Sequence, residues 1–471
     1  MIKKINSIWY LLIGIILMAL SHMTFSVNLI AWISYTPFLI YLKKTKGIQS
    51  RLLFVLALVI GWSIVTSKII TPPLLYIFVF LYSVPITLFH LPGFILWDQL
   101  KKHQLSYLIF PSMMTIMEWI RYTFTPFASW GAAAYTQIDT PSIMQSLSLF
   151  GMPGLSFLIY WINISIAEVI SSKRISWGTI QLPAIVLIIL IIFGSIRINL
   201  YNSAGKGTIT VAAIGTDSKA GGLPLPAKKT NLKVKADLFK RTRKAASFGA
   251  KLAVWTEAAT YVLPEDEQIW KDSLSELTKR NKISLFASYV VPLSLNPLQY
   301  ENKFLFIDST GNINYEYNKH EPVPGEPAVK GTEPLKVAMV ENSKTGGVIC
   351  YDYDFPYLAK SYGNLSADIV AVPSSDWRGI DPIHSKMAAC RAVEQGHSII
   401  RSTRFGLSAA IDPYGQIINQ MSSFDNNNKI MIAQLPVKSI TTVYSVIGDT
   451  FIFLCIGFII AFIILKLRNS I

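Results

Sequence analysis

Long apolar runs fill about the first 200 residues of the chain and its carboxyl-terminal end, whereas the stretch between them alternates polar and apolar positions at short periods. A helix that crosses a bilayer needs about 20 mostly apolar residues. Eight runs predict such helices, at 7–25, 28–43, 52–70, 74–97, 105–123, 147–170, 179–197 and 444–466, of which 28–43 is the shortest. The pattern therefore predicts a multi-pass α-helical membrane domain at 1–200, an extramembrane domain at 206–436 and a final membrane helix at 444–466.

Basic residues cluster in alternate loops between these runs, and this pattern predicts the orientation of the chain. Short cytoplasmic loops collect Lys and Arg. Both termini are therefore predicted to face the cytoplasm and the domain at 206–436 to face the opposite side, which is the periplasm in a bacterium with two membranes. The clusters are Lys3 and Lys4, then Lys43, Lys44, Lys46 and Arg51, then Lys101 and Lys102, then Lys173 and Arg174, and finally Lys466 and Arg468.

Composition supports a membrane protein and argues against two other classes. Only 15% of the residues are charged, whereas soluble domains carry about 25%. The net charge of +15 would suit nucleic acid, but the basic residues form no single stripe with interleaved aromatic residues, so no nucleic-acid partner is predicted. The three cysteines form no CxxC pair and the histidines form no HExxH motif, so we expect no disulfide, metal or cofactor. His384 and His397 are interpreted as structural or surface residues.

The segment 206–436 alternates short β-branched runs with helical periods, which predicts a layered α/β domain in which helices cover a sandwich of two sheets. The predicted strands are 208–214, 251–255, 283–290, 303–307, 313–317, 337–340, 347–350, 368–372, 398–402, 407–411 and 416–419, and the predicted helices are 236–249, 264–280, 355–363 and 384–396.

Three chemically suited side chains stand at the ends of predicted strands: Glu257, Lys319 and Cys350. A strand would hold the Cys350 sulfur in place and the following turn would expose it. A thiolate is the attacking species, a carboxylate can accept its proton, and an ammonium can stabilise an oxyanion. The set predicts acyl transfer through a covalent thioester. A buried structural cysteine is the alternative for Cys350.

Two charged residues, Glu118 and Arg121, stand near the end of the fifth apolar run. Charges within or beside a membrane helix are costly unless they are paired or functional. An interfacial ion pair and a contact to a lipid head group are both consistent with this spacing.

The motifs of the chain resemble those of the nitrilase superfamily and, within it, the membrane-bound apolipoprotein N-acyltransferases. The soluble segment carries them in order as Trp255-Thr256-Glu257-Ala258, Tyr317-Asn318-Lys319-His320 running to Pro324-Gly325-Glu326, Ile349-Cys350-Tyr351-Asp352 and Pro373-Ser374-Ser375-Asp376-Trp377. In the membrane part, Glu118-Trp119-Ile120-Arg121 and Gly151-Met152-Pro153-Gly154 are similar to segments of the family.

The resemblance implies an αββα sandwich and an N-acyltransferase that needs no cofactor. A phospholipid would give an acyl chain to Cys350, and the amine of a diacylglyceryl-modified lipoprotein would receive it. Glu257 would be the general base and Lys319 the oxyanion stabiliser. Further residues expected to bind substrate or support the site are Glu326, Tyr351, Asp352, Trp377, Arg404, Glu118 and Arg121. We expect a monomer.

Several positions depart from the pattern of the family. Thr256 stands where proline is usual, Asp352 where glutamate is usual, and Arg404 within a segment that usually reads Thr-Asn-Asn-Gly. Two alternatives therefore stay open. One is a membrane-tethered amidase or hydrolase that uses water, and the other is a scaffold that binds lipid or a partner without chemistry.

Overall fold

The computed structural model describes residues 2–172, 177–202, 207–425 and 429–468. The predicted basic pair Lys173 and Arg174 lies outside these residues. The chain divides into two compact units. Unit 1, the helical unit, comprises Met1–Ser203 with Val446–Ile471, and unit 2, the α/β unit, comprises Ala204–Ser445.

The helices of the described residues, in chain order, are α1 Ile2–Ser21, α2 Thr36–Lys44, α3 Ile48–Ser67, α4 Ile77–Leu100, α5 Ser106–Phe124, α6 Pro141–Met144, α7 Leu147–Ser172, α8 Trp177–Asn202, α9 Lys228–Ser247, α10 Glu267–Asn281, α11 Pro356–Asn364, α12 Ile383–Gln395, α13 Val443–Ile447 and α14 Thr450–Arg468. Short 3-10 turns occur at Asn28–Trp32, Ala133–Gln137, Pro264–Asp266 and Cys350–Asp354.

Five helices of the described residues are long and apolar enough to cross a membrane: α3, α4, α7, α8 and α14. The predicted count of eight spans is therefore not confirmed. The run 28–43 breaks into a 3-10 turn and the nine-residue helix α2, which at 1.5 Å per residue is too short to span. Within helix α1, the apolar stretch Ser7–Ser21 is shorter than a membrane span. Helix α5 is not among the helices that are long and apolar enough to cross a membrane.

A buried asparagine explains how the chain can break at 28–43 inside an apolar unit. Asn163 on α7 accepts hydrogen bonds at Oδ1 from the backbone amides of Tyr35 (2.8 Å) and Thr36 (3.1 Å). Its Nδ2 donates to the carbonyl of Ala31 at 2.9 Å. Backbone groups at a helix end lack partners within the helix, and leaving them unpaired in an apolar setting is costly. One side chain therefore satisfies the amino-terminal end of α2.

The α/β unit contains twelve described strands in two six-stranded sheets. The strands are β1 Thr208–Ile214, β2 Leu252–Trp255, β3 Ser284–Leu295, β4 Leu298–Ile307, β5 Ile313–Asn318, β6 Val337–Val340, β7 Ser343–Gly347, β8 Ile369–Ser375, β9 Ser398–Arg404, β10 Leu407–Ile411, β11 Ile417–Ser422 and β12 Ile430–Pro436. The sheet orders are β12-β1-β2-β3-β4-β5 and β11-β10-β9-β8-β7-β6. The predicted α/β domain is confirmed, and β12, which pairs antiparallel with β1, is an addition.

The central strands of each sheet are parallel and largely buried, as is usual for parallel strands covered on both faces. Strands β1, β2 and β3 run parallel, as do β7, β8 and β9. Trp255 and Leu285 of the first sheet pack with Trp270 and Leu274 of α10 in one buried cluster. The remaining strands pair antiparallel, and all of them except β12 do so as hairpins with a strand that is next to them in the chain.

Glycine at position 347 allows the two sheets to approach closely. A Cβ at Gly347 would lie 2.6 Å from the ring of Phe286 on β3 and 3.1 Å from the ring of Phe304 on β4. We expect Gly347→Ala to destabilise the protein by about 1–3 kcal/mol, because an added methyl group overpacks a dense interior. A Cβ at Gly222 would meet nothing within 4 Å, so Gly222→Ala is the matched control. Thermal unfolding of the full chain measures both, and equal melting temperatures would contradict the prediction.

Candidate active site

A buried lysine joins two carboxylates in the loops that follow β2 and β5. Lys319, directly after β5, places its Nζ 2.8 Å from Oε1 of Glu257 and 2.7 Å from Oε2 of Glu326. Lys319 is 1% exposed and Glu257 4%. Because charges this well buried need partners, the three side chains form one electrostatic unit. The structure thus brings together three residues that the sequence analysis names separately.

Asn302 on β4 completes this cluster, and the sequence analysis missed it. Its Nδ2 donates to Oε1 of Glu257 at 2.7 Å and to Oε1 of Glu326 at 2.9 Å. Asn302 therefore fixes the two carboxylates relative to each other. The sequence carried no clear signal for it, because Asn302 stands between Glu301 and Lys303 in a strand with several polar residues.

The two carboxylates differ in how their oxygens are used. Both oxygens of Glu326 accept hydrogen bonds, since Oε2 also accepts from the amide of Val323 at 2.9 Å and Oε1 lies 3.4 Å from the hydroxyl of Tyr300. In contrast, Lys319 and Asn302 both bond Oε1 of Glu257, and no donor among the described residues bonds its Oε2. Glu257 is therefore the carboxylate with an oxygen left to accept a proton.

Cys350 opens the 3-10 turn Cys350–Asp354, three residues beyond β7. The predicted strand 347–350 shares only Gly347 with β7 and is otherwise wrong, because the strand ends there and Cys350 has a φ of +50° that no strand can contain. Left-handed backbone is costly for a residue with a Cβ and is concentrated at functional sites. The thiol is 3% exposed and donates to the carbonyl of Ser375 at 3.6 Å.

The end of β8 contacts both Cys350 and Glu257. The Cys350 thiol bonds the carbonyl of Ser375, and the amide of Glu257 donates to the carbonyl of Ser374 at 3.3 Å. Parallel strands place their carboxyl ends along one edge, which is where α/β sheets bind ligands. The tertiary fold therefore gathers Glu257 and Cys350 at one edge of the sandwich.

Burial and the neighbouring charges set the protonation of these groups. Burial raises the pKa of the Cys350 thiol well above its usual value, the charge of Glu257 raises it further, and the charge of Lys319 opposes the rise. Burial alone would lower the pKa of Lys319, but the carboxylates of Glu257 and Glu326 hold it well above its usual value. At neutral pH the thiol is protonated and the lysine charged, so the sulfur needs a base before it can attack.

A second buried network lies beside the sulfur. His384 bonds Asp376 through Nδ1 at 2.7 Å and Asp354 through Nε2 at 2.9 Å, so the surface alternative for His384 is wrong.

Cys350, Asp376 and His384 place one ligand atom each within 4.8 Å of one another, a set able to bind a divalent cation. However, Nη2 of Arg401 lies 3.0 Å from Asp376 Oδ1 and 2.8 Å from His384 Nδ1. A guanidinium already supplies the positive charge there, so the set does not fit a resident metal.

Three other predicted residues occupy nearby loops of the α/β unit. Asp352 accepts from the hydroxyl of Tyr317 (2.8 Å) and the amide of Glu321 (2.6 Å), and it thereby fixes the turn that carries Cys350. Tyr351 packs edge-on against Phe355. Trp377, two residues past β8, is half-buried. The direct substrate contacts predicted for these side chains stay predictions.

Glu118 and Arg121 lie on α5 in the helical unit, and both are buried there. The Glu118 carboxylate accepts from the amide of Ala133 at 2.9 Å and from the hydroxyl of Tyr160 at 2.5 Å. Arg121 donates to the carbonyl of Ala128 at 3.2 Å. Their predicted part in binding substrate stays a prediction.

Comparison with protein families assigns both units of the chain. A family model described as the apolipoprotein N-acyltransferase N-terminal domain matches residues 15–165, and one described as carbon-nitrogen hydrolase matches residues 210–444. The chain belongs to the apolipoprotein N-acyltransferase family. The first match falls in the helical unit and the second in the α/β unit, so this family member combines a membrane part with a nitrilase-superfamily domain.

Named relatives match most of the chain at low identity. The apolipoprotein N-acyltransferase of Borreliella burgdorferi is 24% identical over 80% of this chain and 78% of its own length. That of Rickettsia prowazekii is 26% identical over 82% of this chain and 83% of its own. A crystal structure of an amidase from Nesterenkonia sp. is 19% identical over 50% of this chain and 92% of that one, with a TM-score of 0.41.

The electrostatics of this family member generate a test that does not depend on its substrate. Since the Glu257 charge raises the thiol pKa and the Lys319 charge lowers it, we expect Glu257→Gln to shift the pH profile of Cys350 alkylation by iodoacetamide to lower pH and Lys319→Met to shift it to higher pH. Glu276→Gln removes an exposed carboxylate paired with Arg280 and is the control. Shifts in the same direction for both site variants would contradict the charge arrangement.

Proposed function

We propose that this protein is an integral-membrane N-acyltransferase that moves a fatty acyl chain from a phospholipid, through a thioester on Cys350, to the amino-terminal amine of a diacylglyceryl-modified lipoprotein. The observation that carries the proposal is the buried Glu257–Lys319 pair at the strand edge that also holds the Cys350 thiol. Family membership supports the acyl acceptor, because the curated relatives are named apolipoprotein N-acyltransferases.

In the first half-reaction the Cys350 sulfur attacks the ester carbonyl of the phospholipid. The thiol proton passes to the oxygen of Glu257 that no described donor occupies, and a carbon–sulfur bond forms. The tetrahedral intermediate collapses when the carbon–oxygen ester bond breaks. The lysophospholipid leaves as an alcohol after taking the proton back from Glu257, and the acyl chain remains on sulfur as a thioester.

Lys319 is suited to stabilise the oxyanion of this intermediate. Two of its three N–H groups are used by Glu257 and Glu326, and the third has no acceptor among the described residues. A preorganised charged donor in a site that excludes water is typically worth about 3–4 kcal/mol of transition-state stabilisation. The two carboxylates keep the ammonium charged, so it needs no proton rearrangement when the substrate arrives.

In the second half-reaction the lipoprotein amine attacks the thioester carbonyl. Glu257 accepts a proton from the attacking nitrogen, the new amide bond forms, and the carbon–sulfur bond breaks. The sulfur leaves as a thiolate that recovers the proton from Glu257, so the enzyme returns to its starting state. One base and one cation serve both halves because each half passes through a tetrahedral oxyanion.

The five membrane-length helices and the bacterial relatives support a membrane setting for this chemistry. We infer from the basic clusters that both termini face the cytoplasm and that the α/β unit works on the periplasmic side of the inner membrane. Phospholipid and lipid-modified acceptor would both be available there. To test on which side of the membrane the α/β unit lies, single cysteines are introduced on that unit and labelled in whole cells with a reagent that cannot cross the membrane.

The nucleophile provides the decisive test. We expect Cys350→Ala to abolish the acyl-enzyme and to lower lipoprotein triacylation by more than about a thousandfold, since a residue that acts as a unit with its base loses nearly all rate when removed. Mass measurement of the purified protein after exposure to phospholipid should show a fatty-acyl increment on the peptide containing Cys350. Cys390→Ala, which changes a buried cysteine outside the cluster, is the matched control.

The alternatives predict different products. A hydrolase would form the same acyl-enzyme but release free fatty acid without acylating the acceptor peptide. A non-catalytic scaffold would show no acyl increment, and Cys350→Ala would leave triacylation unchanged. Either result would overturn the proposed transfer.

A further inference from the structure

Arg404 marks a departure from the family pattern, and its contacts show what this side chain does. It ends β9 beside the last residue of β8 and is 8% exposed. Its Nε donates to the Ser375 hydroxyl at 2.9 Å. Its Nη1 donates to the carbonyls of Ser218 at 2.6 Å and Ala258 at 3.1 Å, and its Nη2 donates to the carbonyl of Ala220 at 2.9 Å. Four of its five N–H groups therefore bond the protein itself.

Each of these partners lies next to a part of the candidate site. Ala258 follows Glu257 and has a left-handed φ of +46°. Ser375 offers its hydroxyl to Arg404 and its carbonyl to the Cys350 thiol. The guanidinium thus joins the backbone behind the base to the backbone that positions the nucleophile.

The other two partners belong to the segment 216–222, which follows β1. Ser218 and Ala220 are buried while Lys219 between them is exposed, and Ala220 packs in an apolar cluster with Ala258 and Tyr300. A Cβ at Gly221 would lie 3.6 Å from the Tyr300 hydroxyl and 3.8 Å from Nη2 of Arg404. The segment therefore lies against the residue that bonds Glu326.

We propose that Arg404 is a positioning residue for the proposed acyl transfer, on which this inference rests: its guanidinium clamps the segment 216–222, the Glu257 loop and the end of β8 into one arrangement. A lysine cannot replace it, because a single ammonium cannot span acceptors presented on three separate segments of the chain. The bonded N–H groups of Arg404 donate to protein acceptors and not to the substrate. Arg404 therefore contributes by holding these segments in place.

Two variants separate the clamp from the charge. Arg404→Lys keeps the positive charge but loses the branched N–H donors of the guanidinium, whereas Arg404→Gln loses both the charge and those donors. If the clamp operates, we expect both variants to lower kcat for acyl transfer by about tenfold or more with little change in KM, since several buried hydrogen bonds are lost. Active-site titration of Cys350 corrects for unfolded protein. Arg378→Gln, which removes an exposed arginine stacked on Phe424, is the control and should keep wild-type kcat.

A second readout does not require acyl transfer and so remains informative if the proposed function fails. Hydrogen–deuterium exchange of peptides covering 216–222 should quicken about tenfold or more in both Arg404 variants, because local opening depends on these contacts. Wild-type kcat or unchanged exchange in Arg404→Lys would overturn the clamp, since charge alone would then suffice. If the Arg404 variants fail to fold, Ser375→Ala removes one acceptor and should lower kcat about three- to tenfold. An unchanged kcat there would also overturn the inference.

Discussion

The buried ammonium of Lys319 is the constraint on which the rest of the α/β unit depends. An isolated charge in a protein interior costs several kcal/mol, and removing one partner from a buried pair costs about 3–5 kcal/mol. Lys319 meets this cost with two carboxylates, and Asn302 holds those carboxylates at matching positions. The strands β2, β4 and β5 must therefore keep their relative register, since a slip of one residue would leave a buried charge without its partner.

The same arrangement makes the site chemically asymmetric. Glu326 uses both of its oxygens to hold Lys319 and the loop at Val323, whereas Glu257 keeps one oxygen without a described donor. Glu326 is thus mainly a counterion of Lys319, whereas Glu257 has an oxygen that can accept a proton. Burial raises the pKa of the Cys350 thiol well above its usual value, so the thiol is protonated at neutral pH and needs a base before it can react as a thiolate.

In the helical unit, two sites with buried polar groups are also satisfied by hydrogen bonds, but through different groups. Where the second apolar run breaks, Asn163 supplies the hydrogen bonds that the backbone has lost. Where a carboxylate is buried, at Glu118, a backbone amide and a tyrosine hydroxyl satisfy it. At these sites in both units, the buried polar groups have hydrogen-bond partners, and those partners come from other elements of the chain.

The sequence by itself determined the elements and the reactive residue types. Apolar runs and β-branched periods are local, so five of the eight predicted spans, the α/β class and ten of the strands could be derived from them, and the ordered motifs marked Glu257, Lys319 and Cys350. Only the tertiary structure decided that β12 closes the first sheet, that Asn302 joins the carboxylates, that His384 is buried against Asp354 and Asp376, and that Arg404 bonds three loops. These features depend on contacts between residues that are far apart in sequence, and a local pattern of polarity carries no information about which distant partner a buried polar group will meet.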